Sequence, residues 1–166
     1  MNIPNSGETF EWRGNRYVAL GPEQGGLLAV SEGIVALRPF DERGCNDWRS
    51  SSLRAWLNGP YLIGIGGADG LLPFTSDLTA DDGMKDYGTA EDMVFILSDS
   101  LYRKYRPFLP GFDVPRWSIT PWSCRPANSS NVRNVYPDGT LDDYYARNAF
   151  GVVAGLLLNH ESLEER

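Results

Sequence analysis

The sequence predicts an α+β fold of short strands, two short helices and long loops, and three observations carry that expectation. The chain has 166 residues, enough for one well-buried core but too few for two, so a single domain over 1–166 is expected, with its core at about 9–159. Eighteen glycines, eleven prolines and an aromatic share of 12% favour short strands broken by turns. Apolar residues at helical spacing, by contrast, recur in only two segments.

Taken in order, Phe10, Trp12, Tyr17, Val18 and Leu20, interrupted at Gly14-Asn15, predict an opening hairpin. Gly25-Gly26 then leads into Leu27–Val30, and Ile34–Leu37 follows after Ser31-Glu32-Gly33, so both apolar runs are expected to be core strands. Asp47 and Ser50 to Ser52 offer N-caps ahead of Leu53, Trp56 and Leu57, whose spacing puts three apolar side chains on one helical face. Asn58-Gly59-Pro60 is expected to end that helix. The Gly-, Asp- and Thr-rich stretch from Gly64 to Asp92 reads as a long surface excursion. Met93–Leu97 is a fully apolar strand candidate, and Asp99, Leu101, Tyr102 and Tyr105 predict a second helix that stops at Pro107. Trp117, Ile119, Val132 and Val135 alternate as strands do, Pro137-Asp138-Gly139 marks a turn, and Phe150–Leu158 reads as one central strand. The tail 160–166 is charged and is expected to fray or form a helical turn.

Charge narrows the function classes. A net charge of −7 repels phosphate backbones, and the Tyr102–Arg106 run is the one brief basic interruption, so nucleic acid is not an expected partner. The first residues lack a positive flank and an apolar run, so no secretory leader is expected, and no segment has the length of a membrane span. Cys45 and Cys124 are read as free thiols more readily than as a bridge, and neither has a close second metal ligand. Asp77, Asp81, Asp82, Asp86, Glu91 and Asp92 miss the spacing of a calcium loop and are read as an unliganded acidic stretch.

Four segments in order, Trp48–Asn58, Val94–Ser98, Trp117–Trp122 and Gly151–Ala154, resemble a domain family of unknown function from bacteria and their phages. Its members carry a W-x-x-S-x-L-R-x-W-L-N helix, an F-L-L-S strand end, a W-W-L-R-S-P-like strand and a closing G-V-R-P-A. The resemblance runs from about Gly14 to Asn159. It implies a C-type-lectin-like layout: two helices, a small twisted antiparallel sheet with the termini close together, and a long irregular region that presents ligand contacts. Val153 stands where the family has arginine, and Gly155 departs from an alanine-leucine continuation. The E-P-N and Q-P-D signatures of calcium-dependent sugar binding are absent. Formylglycine-generating enzymes share the layout, but their paired cysteines are not matched by Cys124 alone.

The residues that invite a ligand are Trp117 and Trp122, whose indoles offer rigid apolar area plus a donor, and a polar strip of Arg125, Asn128, Ser129, Ser130, Asn131, Arg133 and Asn134, joined by Tyr144 and Tyr145. Trp48, Leu53, Arg54 and Trp56 are read as structural, Arg54 against a carboxylate. A nucleophile with a base is not found, because the single histidine, His160, lies in the tail. The expectation is therefore a non-enzymatic binding or structural module without cofactor or metal, most simply a phage virion surface or tail-associated protein. Its expected partners are other virion proteins or copies of itself, and a host-surface glycan or protein. The alternatives are a bacterial cytoplasmic or surface-associated protein of the same fold with no virion role, or an unrecognised enzyme of the formylglycine-generating-like fold.

Overall fold

Strand pairing dominates the computed structural model, which describes residues 2–164. In chain order the elements are β1 (Thr9–Trp12), β2 (Asn15–Glu23), β3 (Gly26–Ser31), β4 (Ala36–Pro39), α1 (Ser52–Trp56), α2 (Leu62–Gly64), β5 (Phe74–Asp77), β6 (Thr89–Asp92) and β7 (Val94–Phe95). There follow α3 (Asp99–Tyr105), β8 (Arg116–Pro121), β9 (Asn131–Val135), β10 (Leu141–Tyr145), β11 (Ala149–Val152), β12 (Gly155–Leu158) and α4 (His160–Glu164). The architecture is α+β, mostly sheet with a few short helices. It holds two five-stranded sheets, ordered β1-β2-β3-β12-β7 and β10-β9-β8-β11-β4, and a β5-β6 ribbon. The expectation of one small sheet and two helices is corrected accordingly. All pairings are antiparallel except β8 with β11, which meet in parallel at Arg116 and Gly151.

The first sheet opens with two tight hairpins. Trp12 pairs with Asn15 and Glu23 with Gly26, so the turns are the two-residue loops Arg13-Gly14 and Gln24-Gly25, all four residues at positive φ. Such loops match the twist of the strands they join. The turn lies one residue earlier than Gly14-Asn15 would put it, and Asn15 belongs to the strand. Gln24 tolerates its backbone because its side-chain amide exchanges two hydrogen bonds of 2.9 Å with the Thr75 backbone, tying the hairpin tip to β5.

The first helix is capped as its sequence suggests: the Asp47 carboxylate accepts from Arg49 N–H, and the Ser51 hydroxyl from Arg54 N–H. It does not stop at Pro60. The chain widens into a π turn over Leu57–Tyr61 and continues into α2, the Leu62 N–H donating to Leu57 O. The wide turn absorbs the donor that proline lacks. Asn58 locks it, because its side-chain amide gives and takes one bond each with the Val94 backbone, at 2.8 and 3.0 Å. In α3, Ser98 caps Leu101 N–H and the α-helix ends at Tyr105; a 3-10 turn over Arg106–Phe108 then takes in Pro107, where the helix is expected to stop.

Three further expectations are corrected. Ile34–Leu37 is not a core strand: β4 begins at Ala36 on the edge of the second sheet, and Leu37 is 61% exposed. The 64–92 stretch is not a detached excursion, since Leu71, Phe74, Leu78 and Ala90 are buried in the common core and Phe74 stacks on Phe95 at 4.1 Å. It packs on its own domain. Phe150–Leu158 is not one strand: β11 serves the second sheet and β12 the first, and Val153-Ala154 carries the chain between them. Gly155 is needed there, because a Cβ would come within 2.7 Å of the Phe95 ring. Of the tail, 160–164 is helical and anchored by buried Leu163, while Glu165 and Arg166 lie outside the described residues.

Candidate functional surface

The outer end of the second sheet positions the exposed aromatics. Pro121 pairs with Val132 and Val132 with Tyr144. One step on, Trp122 N–H donates to Asn131 O and Asn131 pairs with Tyr145. Residues opposite one another in antiparallel strands project to the same face. Trp122, Asn131 and Tyr145 therefore form one cross-strand row, and Arg133 and Asp143 lie two residues along on that face. Trp122 is 38% and Tyr145 60% exposed. Tyr144 turns to the other side, where its ring meets Phe150, and touches Tyr145 edge-on at 5.7 Å.

Two predicted contact residues leave the surface. Trp117 is only 3% exposed, because β8 runs between β9 and β11. Its ring packs on Phe40 and Phe150, and its indole N–H is spent on Arg38 O at 2.9 Å. Asn134 pairs with Trp117 and shares its inward face, so its amide is fully buried. Arg133 stays near the surface but is occupied: it faces Asp99 at 3.2 Å, Asp81 at 3.7 Å and Asp143 at 3.8 Å. Asn131 donates to Asp143 at 2.6 Å. These two are fixed supports of the row rather than free recognition groups. Arg125 and Ser130 are exposed, Asn128 and Ser129 half-buried.

The loop carrying them is held by a residue the sequence reading passed over. Asn46 is fully buried, donates to Ser123 O at 2.8 Å and Asn131 O at 2.9 Å, and accepts from the Tyr87 hydroxyl at 2.7 Å. Its own N–H reaches Ser129 O. Burial pushes the Tyr87 hydroxyl's pKa strongly up, with help from the nearby Cys45, Cys124 and Asp47, so it remains a donor. Beside the row, Gly44, Ser130, Tyr145, Arg147 and Asn148 line an open cleft of about 390 Å³. Arg147 and Asn148 follow the tyrosines after one alanine, and that nearness was the available signal.

The acidic residues are dispersed into local tasks. Asp77 accepts from the Thr79 hydroxyl and N–H, which lowers its pKa against the opposing effect of burial. Asp82 accepts from Met84 N–H. Asp92 is buried and accepts from Trp48 Nε1 at 2.9 Å and Arg54 Nε at 2.7 Å, which gives Arg54 its expected carboxylate. Both cysteines are free, and burial raises the Cys124 thiol's pKa. No helix of the described residues is long and apolar enough to cross a membrane. Comparison with family models, characterised proteins and solved structures gave no match.

Proposed function

We propose that this chain is a non-enzymatic recognition module of C-type-lectin-like layout. In this reading it is displayed on a phage virion surface or tail, where it joins assembly and adheres to a host-surface glycan or protein. The observation that carries the reading is the exposed row Trp122–Asn131–Tyr145 beside the 390 Å³ cleft, mounted on a loop that Asn46 holds rigid. Rigid aromatics present large contact area at little entropic loss, and prior ordering of the loop raises affinity. The first and last strands share a sheet, in keeping with the layout that the motif resemblance implies. Binding is preferred to catalysis because the available nucleophiles lack a base: Cys124 is buried with a raised pKa, and His160 is exposed on α4.

Repeated copies on a particle would multiply weak contacts into avidity. The test is a glycan array together with host-cell binding, run on the native chain and on Trp122→Ala and Tyr145→Ala with folding checked by circular dichroism. Binding that disappears in both variants supports adhesion. Incorporation into purified particles with no binding to glycans or cells would replace adhesion by a purely structural role.

A further inference from the structure

At the opposite end of the β9–β10 hairpin lies a second cleft with different chemistry. Arg116, the first residue of β8, is 9% exposed, yet no carboxylate or hydrogen-bond acceptor of the described residues meets its guanidinium. Two rings flank it, with Cζ 4.7 Å over Phe112 and 5.6 Å over Tyr102. The contrast within the same chain is sharp: Arg54 has Asp92, and Arg133 has three aspartates. Aromatic faces attract the cation, but no protein acceptor of the described residues matches its in-plane donors, which keep some contact with solvent. A buried charge normally has a partner, since an unpaired one is costly.

Arg116 opens onto a cleft of about 150 Å³ whose other walls include Arg106, Leu109, Pro110, Tyr136 and Asp138. The Asp138 carboxylate, which accepts from the Thr140 N–H and hydroxyl at 3.0 and 2.6 Å and acts coulombically on Arg106, offsets part of the positive field but does not meet the Arg116 guanidinium. Tyr102 closes one side by donating to Gly139 O at 2.6 Å. Two arginines thus converge on a small recess with one carboxylate already engaged. The recess holds the volume of roughly five waters at about 30 Å³ each, which suits a single oxyanion group rather than a chain.

We infer that this cleft binds a small oxyanion, a carboxylate or phosphate group, with Arg116 as the planar two-pronged donor and Arg106 as the second cation at the rim. The site is separate from the Trp122 row, and its test does not depend on the adhesion reading. The experiment follows the Arg116 Nε–H resonance by NMR while inorganic phosphate, acetate or glucuronate is added at constant ionic strength. Saturable movement of that resonance is expected with at least one probe, and which probe wins distinguishes a free inorganic anion from a carboxylate or an acidic sugar. Arg106→Ala leaves the fold intact and weakens binding about tenfold, the scale of a lost charge-assisted hydrogen bond. Arg116→Met abolishes the thermal shift that the best probe gives the native chain. Should Arg116→Met not fold, Arg116→Lys, which keeps the charge but loses the fork, is expected to weaken binding by a similar factor. A resonance unmoved by all three probes, or affinity unchanged in Arg106→Ala and in the Arg116 variants, overturns the assignment.

Discussion

The two sheets use the same kind of strand for opposite ends. In the first, β3 and β12 are buried at every position, including the run Leu156–Leu158. In the second, β10 exposes Asp142, Tyr144 and Tyr145, and β9 alternates half-buried polar residues with buried Val132 and Asn134. Covering both faces of a strand demands apolar residues throughout, whereas a strand covered on one face keeps a free side for display. The difference teaches where change is tolerated: the first sheet holds the fold, and the outer second sheet keeps side chains free for contact.

The largest effect should come from Leu156→Ala, which removes about 3 kcal/mol of stability in chemical denaturation by leaving a cavity where the first sheet is fully covered. The matched change Leu37→Ala on the edge of the second sheet should cost less than about 0.5 kcal/mol, and a cost near that of Leu156 would erase the distinction. Asp92→Ala should lower stability by a similar amount, about 3 kcal/mol, because Trp48 Nε1 and the Arg54 guanidinium both lose their acceptor. Asn46→Ala comes next at about 2 kcal/mol, from the orphaned carbonyl of Ser123 and the Tyr87 hydroxyl left without its acceptor. Hydrogen exchange should show that this loss loosens 122–131 while sparing the first sheet.

Much of the fold was legible where its cause is local. Ser51 caps the helix it precedes, and the hairpin at Pro137-Asp138-Gly139 forms where its turn residues say it should. Causes that lie far along the chain were not legible. Arg54 could be expected to meet a carboxylate, but its partner is 38 residues away, and the Asn46 amide reaches carbonyls 77 and 85 residues away. Pro60 reads as a stop until Asn58 is seen to brace the widened turn against Val94. Of the candidate site, Trp122 and Tyr145 were found from residue type and their place beside the polar strip. Their separation from Trp117 was not, because exposure there depends on strand order: Trp117 lies between two neighbouring strands, and Trp122 just past the end of β8.

The smallest expected effect concerns acid. Glu23, at the end of β2, accepts from Lys104 Nζ and the Tyr105 hydroxyl, both at 2.6 Å. Burial alone would raise its pKa, but these two partners outweigh burial and hold it below its ordinary value of 4.5. A depressed native pKa stabilises the fold above the unfolded value and gives that stability up as pH falls through the native one. Glu23→Gln should therefore remove that small contribution at neutral pH and so flatten the acid limb of a stability profile below about pH 4.5. Salt should weaken the native contribution, since Lys104 is largely solvated.

The passage of β11 directly into β12 has a mechanical consequence. Ser31 grips Ala154 from both directions, its N–H donating to Ala154 O at 2.8 Å and its hydroxyl accepting from Ala154 N–H at 3.1 Å. Tension arriving at the displayed edge can pass along one continuous length of backbone into the strands that anchor the molecule, with no slack linker between. A pull on the outer edge of the second sheet would load both sheets at once, so they should yield together as a unit.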